Sequence, residues 1–248
     1  MSPIVTFDVF SALTDSRAGG SVILYELALH RGWPQSGFAL YDRWDYVNKE
    51  MHRAQTPWIP FREISAAAFE ASLTDLGLSA THSRQDSDAL LDSVVGWPLW
   101  PDVTAKALQG LDVPALGLLS NIDDELLRDT AAVRLGVFDP KYVLTSERLR
   151  AYKPNAVFYR RAGEVLGPFT HVAASARDVR GALDARISCV RLARPGHALD
   201  LEGPIPSRTA GSIGDLSDLL LGGRSSAGLR YMSWRGPRGW ARRDVRWT

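Results

Sequence analysis

Five short apolar runs punctuate the chain: "IVTFDVF" (Ile4–Phe10), "ALGLLSN" (Ala115–Asn121), "YVLTS" (Tyr142–Ser146), "HVAAS" (His171–Ser175) and "ISCVRLA" (Ile187–Ala193). Each has the length of a buried strand. Helical patterns separate the later runs: "DDELLRDTAAVRLG" opens on acids and stops at Gly136, "NAVFYRRAGEVLG" stops at Gly167, and "DVRGALDAR" joins the fourth run to the fifth. Acids suit the positive end of a helix dipole and glycine suits its stop. Such alternation predicts an α/β fold, a Rossmann-like core whose parallel sheet has helices on both faces.

The stretch between the first two runs breaks the alternation. From Thr14 to Val95 there is no strand pattern, but there are helical stretches around Ser21–Arg31, Tyr41–Arg53, Ile64–Leu76 and Asp86–Val95. This predicts an all-helical cap inserted after the first strand, with "GWPLWPDV" (Gly96–Val103) as the return linker. The expected division is a core of residues 1–14 and 99–221, a cap of 15–98, and a tail of 222–248. The tail has seven arginines against one aspartate, a net +6, which leaves −5 on the rest of a chain that totals +1. Its three tryptophans follow no helix or strand period, so it reads as a disordered basic tail outside the fold; an Arg/Trp arm for nucleic acid or a membrane surface is the sharper reading.

With a net charge of +1, no whole-chain field selects nucleic acid or a membrane. The single Cys189 excludes an internal disulfide and a multi-cysteine zinc site. It sits mid-strand and reads as core. The five histidines (His30, His52, His82, His171 and His197) lack metal spacing, so no metal is expected. No signal peptide or bilayer-length apolar run is recognised, and a cytoplasmic location is the expectation.

In an open parallel sheet, ligands gather at the carboxyl ends of the strands. Four strands deliver polar groups there: Asp8 from the first, Ser120 and Asn121 from the second, Lys153 beyond the third, and Ser175 and Asp178 beyond the fourth. An acid, a hydroxyl–amide pair, a lysine and a second acid at one edge form a constellation fit for chemistry. A carboxylate amid Val and Phe is costly unless it is paired or used.

These pieces, in this order, resemble the haloacid dehalogenase superfamily, and within it the type II (S)-2-haloacid dehalogenases. "FDVFSALTDS", "LLSNIDDELL", "RAYKPNAVFY" and "HVAASARD" resemble its four motifs, and "YDRWDYVNKE" resembles the cap helix whose arginine faces the substrate. The resemblance implies that Asp8 attacks C2 of a small 2-haloacid, forming an aspartyl ester that water hydrolyses to a 2-hydroxy acid. It implies that Lys153 pairs with Asp8 and Asp178, and that Asp178 positions or activates the water. Ser120 is expected to hold the substrate carboxylate, Arg43 and Asn121 to stabilise departing halide, and Tyr159 to support the Lys153 region. Arg53 is a second arginine on the cap segment. Phe10 and Ser175 complete the expected binding residues, and a homodimer is compatible with the resemblance.

Superfamily phosphatases have a second Asp two residues after the nucleophile, to protonate an alkoxide leaving group. Phe10 stands there in this chain, and halide leaves without a proton. Two alternatives remain: a Mg²⁺-dependent phosphatase using Asp8, the Phe10 carbonyl and Asp178, and a catalytically weakened binding protein. The second rests on Ala12, Ala173 and the basic tail, and the chain departs from the family pattern at three places. Ser11–Ala12 replaces Gly-Thr, removing a hydroxyl that supports the nucleophile; Ala173 replaces Ser; and Ser175 replaces Asn. Asp15 reads as a turn or cap residue.

Overall fold

A computed structural model of the chain describes residues 4–220. The basic segment 222–248 lies outside the described residues. Strands β1 (Ile4–Phe7), β2 (Leu116–Ser120), β3 (Val143–Thr145), β4 (Phe169–Ala173), β5 (Ser188–Leu192) and β6 (Thr209–Ala210) form one sheet in the order β3-β2-β1-β4-β5-β6. Every neighbouring pair is parallel. The five apolar runs thus become the five longer strands, and β6, two residues long, has no period to read.

The first run ends sooner than its apolarity suggests. β1 stops at Phe7, and Val9–Leu13 form a single π turn closed by the Thr14 N–H donating to the Val9 carbonyl at 2.9 Å. Asp8 causes the change of direction, because its carboxylate accepts the Ser11 N–H at 2.9 Å and caps the turn.

Helices α1 (Ser16–Arg31), α2 (Gly37–Ala54), α3 (Phe61–Asp75) and α4 (Ser83–Asp92) all lie between β1 and β2. Asp15 caps α1 by accepting the Ala18 N–H at 3.0 Å. α1 and α2 approach closely: a Cβ on Gly37 would stand 2.1 Å from the Ser21 carbonyl oxygen. The chain leaves and re-enters the core side by side, with Thr14 and Leu99 paired as an antiparallel bridge.

Shorter helices follow: α5 (Ala105–Gln109), α6 (Asp124–Arg128), α7 (Ala131–Arg134), α8 (Ser146–Leu149), α9 (Ala156–Leu166), α10 (Ala176–Asp184) and α11 (Leu216–Leu220). Apolar side chains fill both sides of the sheet. On one side Phe7, Leu118 and Val172 continue into the insert through Leu24, Trp44 and Phe69. On the other, Leu119, Phe169 and Cys189 pack with Phe158 and Tyr159 of α9. Among the described residues, no helix is long and apolar enough to cross a membrane.

Candidate active site

Asp8 follows β1 directly, with both carboxylate oxygens engaged. Oδ1 accepts from Lys153 Nζ at 2.7 Å, and Oδ2 accepts from the Ser11 hydroxyl at 2.6 Å and the Ser11 N–H at 2.9 Å. Lys153 Nζ also donates to Asp178 Oδ2 at 2.5 Å and to the Leu119 carbonyl at 2.9 Å. One ammonium therefore joins two carboxylates, all three side chains being buried. Burial alone would push the Lys153 ammonium down, but Asp178 and Asp8 outweigh it and hold it above the usual lysine value. Burial also opposes the Asp178 carboxylate; Lys153 and His171 overcome that and keep the acid well below the usual carboxylate range.

Asp178 has further support. Tyr159 donates its hydroxyl to Oδ1 at 2.7 Å, and His171 Nε2 lies 3.1 Å from Oδ2. A carboxylate only accepts, so Nε2 carries the hydrogen; Nδ1 of the same ring is 3.0 Å from Thr6 Oγ1. Burial and the Asp178 charge push the Tyr159 phenol well up, which keeps it a donor. His171 was invisible to metal-spacing arguments. Its signal is strand alternation, which sets it on the same side of β4 as Phe169 and Ala173.

A cavity of about 100 Å³ opens in front of Asp8, room for a small organic acid. Asp8, Phe10, Asn121, Lys153, Ser175 and Asp178 line it, as do Tyr41, Trp44, Asn48, Lys49 and His52 of α2. The Phe10 ring stacks on Phe61 at 6.0 Å and tilts against Trp97 at 5.7 Å, giving the cavity an aromatic wall. Ser175 stands at the N-cap just before α10, and its N–H donates to Ser11 Oγ at 3.2 Å.

Arg43 and Ser120 lie off the cavity wall, and Asn121 and Tyr159 have partners within the site. Arg43 is not on the cavity wall. It pairs with Asp75 of α3 and lies over the Tyr46 ring, half exposed, because α2 turns Leu40, Tyr41, Trp44, Asn48 and His52 inward and position 43 falls between them. Arg53, the second arginine of that segment, is exposed and does not line the cavity either. Asn121 lines the cavity, but its amide is committed: it donates to the Lys153 carbonyl at 3.0 Å and accepts the Lys153 N–H at 2.8 Å. It therefore fixes the lysine with its oxygen and one N–H, and its second N–H has no protein partner among the described residues. Ser120 is fully buried at the end of β2, off the cavity wall, with no partner for its hydroxyl among the described residues. Tyr159 stands behind Asp178 and does not reach the cavity.

Ala12 leaves no gap in the hydrogen bonding of Asp8, since the Ser11 hydroxyl, one residue earlier, donates to it. The turn itself is held from outside. Trp100 Nε1 donates to the Ser11 carbonyl at 3.1 Å, and Arg194 Nε donates to the Ala12 carbonyl at 3.0 Å.

No family model matches the chain, and no curated protein matches it by sequence. Solved structures do match. The L-2-haloacid dehalogenase from Xanthobacter autotrophicus superposes with a TM-score of 0.75 at 22% identity, over 90% of this chain and 99% of that one. The chain has the haloacid dehalogenase fold. The same Xanthobacter enzyme with chloropropionic acid covalently bound gives a TM-score of 0.73 at 23% identity, over 90% and 99% of the two chains. A HAD hydrolase from Bacillus subtilis, bound to magnesium, shares the fold at a TM-score of 0.67 and 17% identity, over 88% and 98%. In haloacid dehalogenase terms, α1–α4 form the helical insert that faces the carboxyl ends of the strands, and the cavity lies between insert and core.

Proposed function

We propose that the chain is a hydrolase that converts small 2-haloacids to 2-hydroxy acids without a metal. The observation that carries this reading is the Lys153 ammonium shared by two buried carboxylates, with the Phe10 ring where a second acid would stand. Asp8 attacks C2; the carbon–halogen bond breaks and halide leaves with its electron pair. Water then adds at the Asp8 carbonyl carbon of the ester. The 2-hydroxy acid departs, the carboxylate returns and one proton is released. Lys153 steadies both carboxylates, and Asp178, held ionised by Lys153, His171 and Tyr159, accepts a hydrogen bond from the water. The covalently bound chloropropionic acid in a protein of the same fold supports a covalent intermediate.

A Mg²⁺-dependent phosphatase is the second reading, favoured by the magnesium in the Bacillus subtilis structure. Against it, Lys153 already lies between Asp8 and Asp178, and Phe10 has no proton to give an alkoxide. The deciding experiment is halide release from 2-chloropropionate, with and without EDTA, in the parent and Asp8→Asn proteins. Dehalogenation predicts release that survives EDTA and vanishes with Asp8→Asn. Release of phosphate from a small ester in Mg²⁺, with no halide release, would establish the phosphatase instead. Neither activity from folded protein would favour the weakened binding protein.

A further inference from the structure

Most polar groups on the cavity wall already have protein partners. Asp8, Lys153 and Asp178 serve one another, Asn121 serves the Lys153 backbone, and Asp45 pairs with Lys49 at 2.5 Å. Two nitrogens differ. Arg177, in the first turn of α10 beside Asp178, gives Nη2 to Glu50 of α2 at 2.5 Å, while its Nη1 is buried with no partner among the described residues. His52 of α2 is 4% exposed, its ring flat against Tyr152 and Phe61 with centroids 4.5 and 5.2 Å away. Its Nε2 is also buried without a partner among the described residues.

Both residues line the same cavity as Asp8, Arg177 from the core and His52 from the insert. Arg43, the expected cation, pairs with Asp75 and, although its Nε is also buried without a partner among the described residues, it does not line the cavity. Burial, with Lys49 nearby, lowers the His52 imidazole to about 3, so at neutral pH it is an uncharged group that can direct an N–H. A guanidinium with a free terminal nitrogen and a neutral imidazole together suit a small anion. A buried donor left unpaired is costly, and a ligand acceptor would relieve that cost.

We propose that Arg177, assisted by His52, binds the carboxylate of the substrate, a role for which Arg43, off the cavity wall, is not placed. The proposal rests on the small-acid reading above. Because Arg177 also holds Glu50, the residue that grips the substrate is also one of those that tie core to insert.

The test is calorimetric titration of the intact chain with propionate, which has the acid group but no leaving group. Arg177→Met is expected to weaken propionate binding about 30-fold, with Arg177→Lys recovering part of it and His52→Phe costing about 5-fold. Arg43→Met is expected to leave binding unchanged, and Arg177→Lys guards against misfolding of the Met variant. Equal binding by parent and both Arg177 variants overturns the proposal, as does loss of binding in Arg43→Met alone. If the parent protein binds no propionate and releases no halide, the small-acid reading fails first and takes this proposal with it.

Discussion

Ser11 Oγ donates to Asp8 Oδ2 and accepts from the Ser175 backbone, so one hydroxyl ties the nucleophile to the start of α10. A hydrogen bond to a charged group contributes roughly 1.5–3 kcal/mol. Ser11→Ala should therefore lower kcat for halide release about tenfold or more, whereas Ser11→Thr should keep most of it; steady-state kinetics on both variants checks this. His52 sets a pH effect on stability. It is lowered from 6.5 to about 3 by burial and by Lys49, so between those values the unfolded chain binds a proton that the folded chain does not. Stability should fall as pH drops below 6.5, by about 2 kcal/mol at pH 5 from this residue alone. His52→Gln should flatten that part of a urea-denaturation series against pH. At this scale the sequence was readable where chemistry requires a residue type: Asp8, Lys153 and Asp178 meet as expected. Ser11 was not, because a lost threonine can be read from a sequence while a compensating rotamer cannot. Nor were Arg177 and His52, whose meaning depends on which atoms are left without partners.

α3 begins without a side-chain cap of its own, since Pro60 precedes Phe61. Asp123, far along the chain at the start of α6, does the work instead: its two oxygens accept the Phe61 and Arg62 N–H groups at 2.8 and 3.0 Å. Asp123→Ala should destabilise the protein by about 1 kcal/mol, as loss of a helix cap does. Because Phe61 stacks on both Phe10 and His52, the same change should increase exchange of the first α3 amides, measured by hydrogen–deuterium exchange. Element identity was legible from periodicity: the four insert helices and five of the six strands follow their apolar patterns. Element facing was less so. Arg43 belongs to a motif-like segment, but the inward stripe of α2 passes through Tyr41, Trp44, Asn48 and His52 and leaves it outside. The π turn at Val9–Leu13 also escaped, since an apolar run through Phe10 looks the same whether it extends or turns.

Core and insert meet around the cavity through contacts that no local pattern announces: Asp123 with α3, Tyr152 donating to the Ile59 carbonyl at 2.8 Å, and Arg177 with Glu50. Such pairs are set by tertiary geometry, which is why the overall architecture could be read from one chain and this seam could not. The lysine shared by two acids has a consequence for the whole cycle proposed above. Asp8, Lys153 and Asp178 together carry one negative charge at rest, and none once Asp8 is esterified. The site thus becomes most hospitable to anions at the moment halide is set free. Hydrolysis restores the missing charge, and the hydroxy acid then faces a fresh electrostatic repulsion from the very oxygen that captured it. Product expulsion needs no separate device: the turnover that regenerates the nucleophile also discharges the cavity.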